Sequence, residues 1–453
     1  TDSVGAVLHT AVTIYVNVAP SIGGGSDIRT TYKFAQTSTA FTATGGTYSG
    51  NPNSPGARAY IYSITRNGGT GAAGNPGISI NSSTGVISVD TTTTAGTYIE
   101  TVTVTDSMSA TSSTTMTITV YPSVTVTGGS SIVTTTGITE TTTAFIANDG
   151  MDTKTFSVTT EGGAVSIDSV TGVVTFNGNL SSTSTYVSKI YTETVTATDV
   201  NGMTGTKTFT ITVNPAIVVL NGSDVTTTHG FQRQSTAFST DTRTGTGAIT
   251  WSIGPDTTTG ISINSTTGVV TVDSTTPSFS DIYESVTATD AHGAKTSKAI
   301  HIIVNAPIQI GGGSDVTTTF GRADTSTVFT KTYGTTPYTW SISPNVSGIT
   351  IDQNGYVHVS DSSTVGTWTE IVKVQDSIGS FDTKSITVII NAAILVSDGG
   401  NIITTQGILE TSTAFSKTNG TGALTFGLTD TITGITIDQN GVVTAASTLT
   451  SID

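Results

Sequence analysis

The chain has 453 residues with 16 Lys+Arg against 31 Asp+Glu, a formal net charge of -15, yet only 10% of its residues are charged. That balance excludes a nucleic-acid binder, which needs clustered Lys and Arg to displace counterions from phosphate, and the segment contains no run of eighteen apolar residues to span a bilayer. The complete lack of Cys excludes disulfides, thiolate nucleophiles and Cys-ligated zinc, and fits a bacterial or archaeal exterior.

Taken in chain order, the sequence repeats itself about every ninety residues. A Ser/Thr-Ala-Phe element recurs at Phe41, Phe145, Phe238 and Phe415, with Thr-Val-Phe at Phe329, and an Asp recurs at Asp106, Asp199, Asp290 and Asp376. Residues 1–20 match only the last strand or strands of a preceding unit. Complete units are expected over 21–122, 123–215, 216–307 and 308–392, and an incomplete one over 393–453, which stops before its Glu-x-Val strand. Within a unit, segments such as Tyr283 to Thr289 alternate strictly between apolar and hydroxyl residues, the period of a half-buried strand. Gly, Asn and Asp punctuate them, as in Asn264-Ser-Thr-Thr-Gly268 and Asp352-Gln-Asn-Gly355, because tight turns need residues that tolerate positive φ. Seven or so short strands per unit predict an all-β fold, a linear tandem array of β-sandwiches. Tyr62, Phe156, Trp251, Trp340 and Phe426 each sit once per unit on a strand and read as aromatic plugs between two sheets. The first complete unit carries a longer insertion, 44–58, rich in Gly, Asn and Pro, of the kind that either bears a binding function or is simply tolerated on a rigid scaffold.

Gly260-Ile-Ser-Ile-Asn-Ser-Thr-Thr-Gly268-Val and Glu284-Ser-Val-Thr-Ala-Thr-Asp290-Ala-His-Gly293 are the most characteristic stretches. In these the unit resembles the bacterial and archaeal immunoglobulin-like and cadherin-like modules of large cell-surface proteins. The resemblance implies immunoglobulin-like sandwiches and an extracellular, non-enzymatic role, but that superfold hosts adhesion, spacing, lattice building and glycan binding alike. Cadherins carry an Asp- and Asn-rich calcium linker, whereas the linkers here read Val213-Asn214-Pro215 and Val304-Asn305-Ala306-Pro307.

No Gly-x-Ser-x-Gly elbow, P-loop or His-Glu-x-x-His occurs, and the five histidines have no ligand-like spacing. The early Gly-Ser-Asp turns at Gly24-Gly25-Ser26-Asp27, Asn221-Gly-Ser-Asp224 and Gly313-Ser314-Asp315 either touch a ligand or only form a turn. An isopeptide cross-link needs a Lys at one fixed core position, which Lys33, Lys154, Lys189 and Lys331 do not share. Asn-x-Ser/Thr sequons fall at Asn81, Asn179, Asn221, Asn264, Asn345 and Asn419, where chance in so Ser- and Thr-rich a chain gives roughly seven. One metal site is expected at each of two junctions. In an immunoglobulin-like topology the strand bearing the Glu would bring Glu193 towards Asp290 across Asn214, and Glu284 towards Asp376 across Asn305, offering oxygen ligands to calcium. Each Asp also opens an Asp-x-x-Gly turn, which is its simpler role.

The sequence therefore predicts a rod-like spacer, stalk or fibre at a microbial cell surface, each unit adding on the order of 30 to 40 Å. Its partners are copies of itself or neighbouring repeats, and a glycan or a neighbouring or host cell. A surface-layer lattice subunit is the alternative within the structural class. A glycan-binding module is the alternative of another class, and it needs an exposed aromatic platform.

Overall fold

The computed structural model describes residues 1–47, 59–71, 77–160, 163–180, 184–254 and 259–450, and every regular element among them is a β-strand. Most of the 44–58 insertion, from residue 48 to 58, lies outside the described residues.

The first complete repeat sets the pattern. Its strands are β1 (Ser21–Gly24), β2 (Ile28–Thr31), β3 (Gln36–Thr37), β4 (Phe41–Thr44), β5 (Ile61–Gly69), β6 (Ile78–Ile80), β7 (Ile87–Val89), β8 (Gly96–Thr105) and β9 (Thr111–Tyr121). They assemble into a four-stranded sheet in the order β2-β9-β8-β5, a three-stranded sheet β3-β7-β6, and a two-stranded pair β1-β4. The same three groupings recur in the next three repeats. Nine strands stand where seven or so were expected, and one of the additional strands arises because the first strand is broken in two. After Gly24 and Gly25, at φ 67° and 70°, the chain leaves β4 and joins β9 instead, and there it runs parallel, Ile28 opposite Ile118 and Thr31 opposite Tyr121.

The turn that makes this switch accounts for the Gly-Ser-Asp element. The glycine lies flat on the ring of the Ala-Phe element: a Cβ on Gly25, Gly129 or Gly313 would stand 2.3 Å from Phe41, Phe145 or Phe329, so no other residue fits. The serine hydroxyl accepts a backbone N–H, Thr39 to Ser26 and Thr327 to Ser314, both at 3.0 Å. The aspartate accepts one from the last strand, Thr117 to Asp27 at 2.8 Å, His301 to Asp224 at 2.9 Å and Thr387 to Asp315 at 2.7 Å.

Alternation decides what is buried. On β8 the side chains of Tyr98, Glu100, Val102 and Val104 point inward while the intervening residues stay part-exposed or exposed. They meet Ile78, Ile87 and Val89 of the smaller sheet to form one core. Three of the expected plugs are buried, Tyr62, Trp251 and Trp340, with 5–7% of their surface exposed; Phe156 and Phe426 are partly buried. Trp251 and Trp340 lie against Phe238 and Phe329 at ring-centroid distances of 6.2 and 6.4 Å, the tilted geometry that aromatic quadrupoles favour.

The chain groups into two compact units. One holds Thr1–Val218 with Asp241–Ala248 and Asp290–Ala294; the other holds Val219–Thr240, Ile249–Thr289 and the residues from Lys295 onward. All three sheets of the third repeat therefore belong to the second unit, and two of its turns belong to the first. Residues 1–20 form no strand, and Val12, Ile14 and Val16 are 80–90% exposed. After Asn391 a two-stranded pair (Leu395–Val396 with Lys417–Thr418) and a three-stranded sheet form, with no counterpart of the four-stranded sheet among the described residues.

Candidate functional site: the poles between repeats

The recurring Asp stands at the end of each long strand equivalent to β8, as its last residue (Asp376) or the one just after it (Asp106, Asp199, Asp290), and its carboxylate caps the turn that follows. In the first unit, Asp199 Oδ1 accepts the N–H groups of Asn201 and Met203 at 2.9 and 3.0 Å. Its Oδ2 accepts the N–H of Met151 at 3.0 Å and, from the preceding repeat, the hydroxyl of Thr31 at 2.5 Å. Asp290 repeats the pattern with His292 and Ala294 on Oδ1, and with the Thr246 N–H at 2.9 Å and the Thr135 hydroxyl at 2.5 Å on Oδ2. In the second unit, Asp376 takes Ile378, Gly379 and Ser380 on Oδ1, with the Thr335 N–H at 3.0 Å and the Thr228 hydroxyl at 2.5 Å on Oδ2. Thr31, Thr135 and Thr228 are the last residues of β2 and its counterparts and are fully buried.

A second set of bonds makes two of these poles directional. Asn214 Nδ2 donates to Thr246 Oγ1 at 3.0 Å, and Thr246 lies 2.7 Å from Thr135 Oγ1. In the second unit Asn305 Nδ2 donates to Thr335 at 2.9 Å, and Thr335 lies 2.8 Å from Thr228. A hydroxyl has one proton to give. Thr135 and Thr228 give theirs to a carboxylate, so Thr246 and Thr335 must donate to them, and each chain runs amide to Thr to Thr to carboxylate. Bonds in such a series polarise one another. The linkers themselves are held: Gly150 and Gly245 donate to the carbonyls of Pro122 and Pro215 at 2.9 Å, and Gly334 and Gly420 to those of Ala306 and Ala392 at 3.0 Å. The first two poles also carry side-chain contacts at 2.5 Å, an ion pair of Arg29 with Asp152 and a hydrogen bond between His292 Nδ1 and Glu140 Oε1.

Two of the pole carboxyls, Asp199 and Asp376, are held in their charged form. Burial pushes the Asp199 and Asp376 carboxyls up, but the N–H groups and the Thr hydroxyl outweigh it and hold both below the usual carboxylate range. Asp106 is held low as well, chiefly by the N–H of Thr47.

Of the residues expected to hold calcium, Asn214 and Asn305 reach the Asp290 and Asp376 poles, each through a threonine. Glu193 and Glu284 do not stand at the poles. Their strands begin at Lys189 and Phe279, so each Glu sits four or five residues in, roughly 14 to 17 Å along the strand, 2–3% exposed in the core of its own repeat. Glu193 accepts the hydroxyl of Thr159 there, at 2.5 Å. Among the described residues no three or more His, Cys, Asp or Glu side chains form a group that could hold a metal ion.

Two features carry little signal in the sequence. The pole threonines lie in runs such as Thr134-Thr135-Thr136 and Thr226-Thr227-Thr228, which indicate a strand but not which hydroxyl is used. A lysine does recur at one position, opposite Val195, Val286 and Val372, as Lys207, Lys298 and Lys384. Its ammonium donates to the backbone carbonyl of Gly128, Asn221 or Gly312 at the strand switch, a role that needs no cross-link.

No protein-family model and no curated protein matches this chain. Among solved structures it is similar to the human desmocollin-1 ectodomain, at 15% identity over 82% of this chain and 79% of that one, with a TM-score of 0.29. It is similar also to Drosophila N-cadherin EC1–4, at 14% identity over 73% and 92% with a TM-score of 0.24, and to Sidekick-1 immunoglobulin domains 1–4, at 10% identity over 82% and 98% with a TM-score of 0.25. The immunoglobulin-like fold rests on the strand pairing above, to which likenesses at these scores add nothing. No helix among the described residues is long and apolar enough to cross a membrane.

Proposed function

We propose that this chain is a non-enzymatic, extracellular structural and adhesive repeat protein, a spacer, stalk or fibre at a microbial cell surface whose partners are neighbouring repeats or further copies of itself. The observation that carries this reading is the repeated pole: the same Thr-to-Asp hydrogen bond recurs at Asp199, Asp290 and Asp376. Tethered domains that act independently need no such bond. A chain whose successive sandwiches must hold a set orientation does. A surface free of Cys and dominated by hydroxyls agrees with an exterior setting. Electron microscopy of the purified protein is the test. Isolated stiff particles support the spacer, a helical fibre the assembled form, and a two-dimensional sheet would replace both with a surface-layer subunit. Flexibly jointed beads would refute the reading.

Glycan binding has one observation in its favour. Tyr283 is 67% exposed on the outer face of the third repeat and stacks on His301 with ring centroids 4.5 Å apart, an apolar face of the kind sugars pack against. Loss of binding on a glycan array after Tyr283→Ala would promote this reading over the structural one.

A further inference from the structure

In each repeat the hairpin equivalent to β6–β7 turns on a residue whose side-chain oxygen accepts two backbone N–H groups. In the first and third repeats that residue is an amide: Asn81 Oδ1 accepts from Ser83 and Thr84, both at 3.0 Å, and Asn264 Oδ1 from Thr266 and Thr267, both at 2.9 Å. In the second, fourth and fifth it is an acid, with Asp168 accepting from Val170 and Thr171, Asp352 from Asn354 and Tyr356, and Asp438 from Asn440 and Val442. The turn needs only the oxygen, so Asp serves it as well as Asn does. What the amide adds is a nitrogen, and this nitrogen has no use in the fold. Asn81 and Asn264 are both exposed, and neither Nδ2 makes a hydrogen bond with any described residue.

The residue two places on varies together with this choice. Where the turn holds Asn, that place holds a hydroxyl, Ser83 or Thr266, and the residue between, Ser82 or Ser265, is not proline. Where it holds Asp, the same place holds Val170, Asn354 or Asn440. The amide is present only where it completes an Asn-x-Ser/Thr acceptor sequence. Asn221 supplies the contrast, since its sequon is complete but its Nδ2 is committed to Ser239 Oγ at 2.7 Å.

We propose that Asn81 and Asn264 are N-glycosylation sites, taking an oligosaccharide on Nδ2 while Oδ1 goes on holding the turn. The donor is a lipid-linked sugar diphosphate. The bond from the anomeric carbon to Nδ2 forms as the bond from that carbon to the diphosphate oxygen breaks, and the amide loses one proton as the diphosphate departs. The glycan then projects from a hairpin tip without displacing any hydrogen bond. At Asn221 the same modification breaks the Ser239 contact.

The test is secretory expression of the whole chain in a host with an oligosaccharyltransferase, with glycopeptide mapping of the folded, secreted protein before and after enzymatic deglycosylation. Glycan is expected on the Asn81 and Asn264 peptides and not on the Asn221 peptide. Asn264→Asp and Thr266→Val should each strip the third-repeat peptide of glycan while leaving the melting curve of the deglycosylated protein unchanged, since both keep the turn's oxygen acceptor and its two N–H donors. Unmodified Asn81 and Asn264 peptides, or equal occupancy at Asn221, would overturn the proposal. This readout is independent of particle shape, so it separates from any failure of the structural reading.

Discussion

Replacing Thr135 by Val tests the pole directly. Valine keeps the branched shape at the end of its strand and removes one donor. The bond lost runs from a hydroxyl to the 5% exposed Asp290 side chain at 2.5 Å, and hydrogen bonds to carboxylates contribute about 1.5 to 3 kcal/mol net. Asp290 keeps its N–H donors, so the carboxylate is not orphaned and the lower half of that range applies, about 2 kcal/mol. At 1.36 kcal/mol per decade this is roughly a thirty-fold change in an opening equilibrium. An array of domains does not melt in two states, so a local probe is needed. Hydrogen exchange at the Thr246 amide, which donates to the same Oδ2, should quicken by about that factor in Thr135→Val and not in Thr212→Val, a part-exposed control on the neighbouring strand. Thr246→Val in the same background should add little, because both hydroxyls act in one chain. Unchanged exchange at Thr246 in Thr135→Val would show that the pole is only a contact and refute the reasoning.

Three further outcomes are expected. Trp251→Ala should cost the third repeat about 3 to 5 kcal/mol and give it a separate, earlier melting step by calorimetry, with the fourth repeat nearly untouched; a native-like melt would remove Trp251 from the core. Glu370 is fully buried, neither carboxyl oxygen has a hydrogen-bond partner among the described residues, and burial pushes its pKa up. The folded state therefore keeps a proton the unfolded chain gives up, and the fourth repeat should lose stability as pH rises above about 4.3, the unfolded value. Glu370→Gln should abolish that slope, whereas Asp199 and Asp376, held low, withdraw their contribution in the opposite direction, as pH falls below about 3.9. Finally, both oxygens of the Asp199, Asp290 and Asp376 carboxyls already accept hydrogen bonds, so melting and small-angle scattering of the whole chain should be the same in calcium and in chelator; a calcium-dependent rise in melting temperature that Asp290→Asn or Asp376→Asn removes would instead put the cation at these poles.

The fold was legible because burial has a period of two. Strict alternation over Tyr283 to Thr289 places Val286 and Ala288 inside, and both are fully buried. The poles were half legible. Recurrence singled out Asp199, Asp290 and Asp376, and the linker placed Asn214 and Asn305 near them in sequence terms, but a threonine run reads the same whether its hydroxyls face water or a carboxylate. Glu193 was misplaced by sequence spacing alone, since nothing in the residues before it shows that its strand begins four positions earlier, at Lys189. The switch after Gly24 was hidden for a related reason: Gly-Gly-Ser-Asp states that the chain turns and leaves open which strand it turns to.

That switch has a mechanical consequence. Because β2 runs parallel to β9, with four residues of each in register from Ile28 against Ile118 to Thr31 against Tyr121, pulling the two ends of the repeat apart slides these strands past one another and loads their hydrogen bonds together. An antiparallel pairing at this place would open one bond at a time. The same four-residue parallel pairing joins the first half of the repeat to its last strand at Ile132–Thr135, Val225–Thr228 and Val316–Thr319, so each complete repeat resists tension by shear, and its breaking force is set by a few short strands rather than by its whole core.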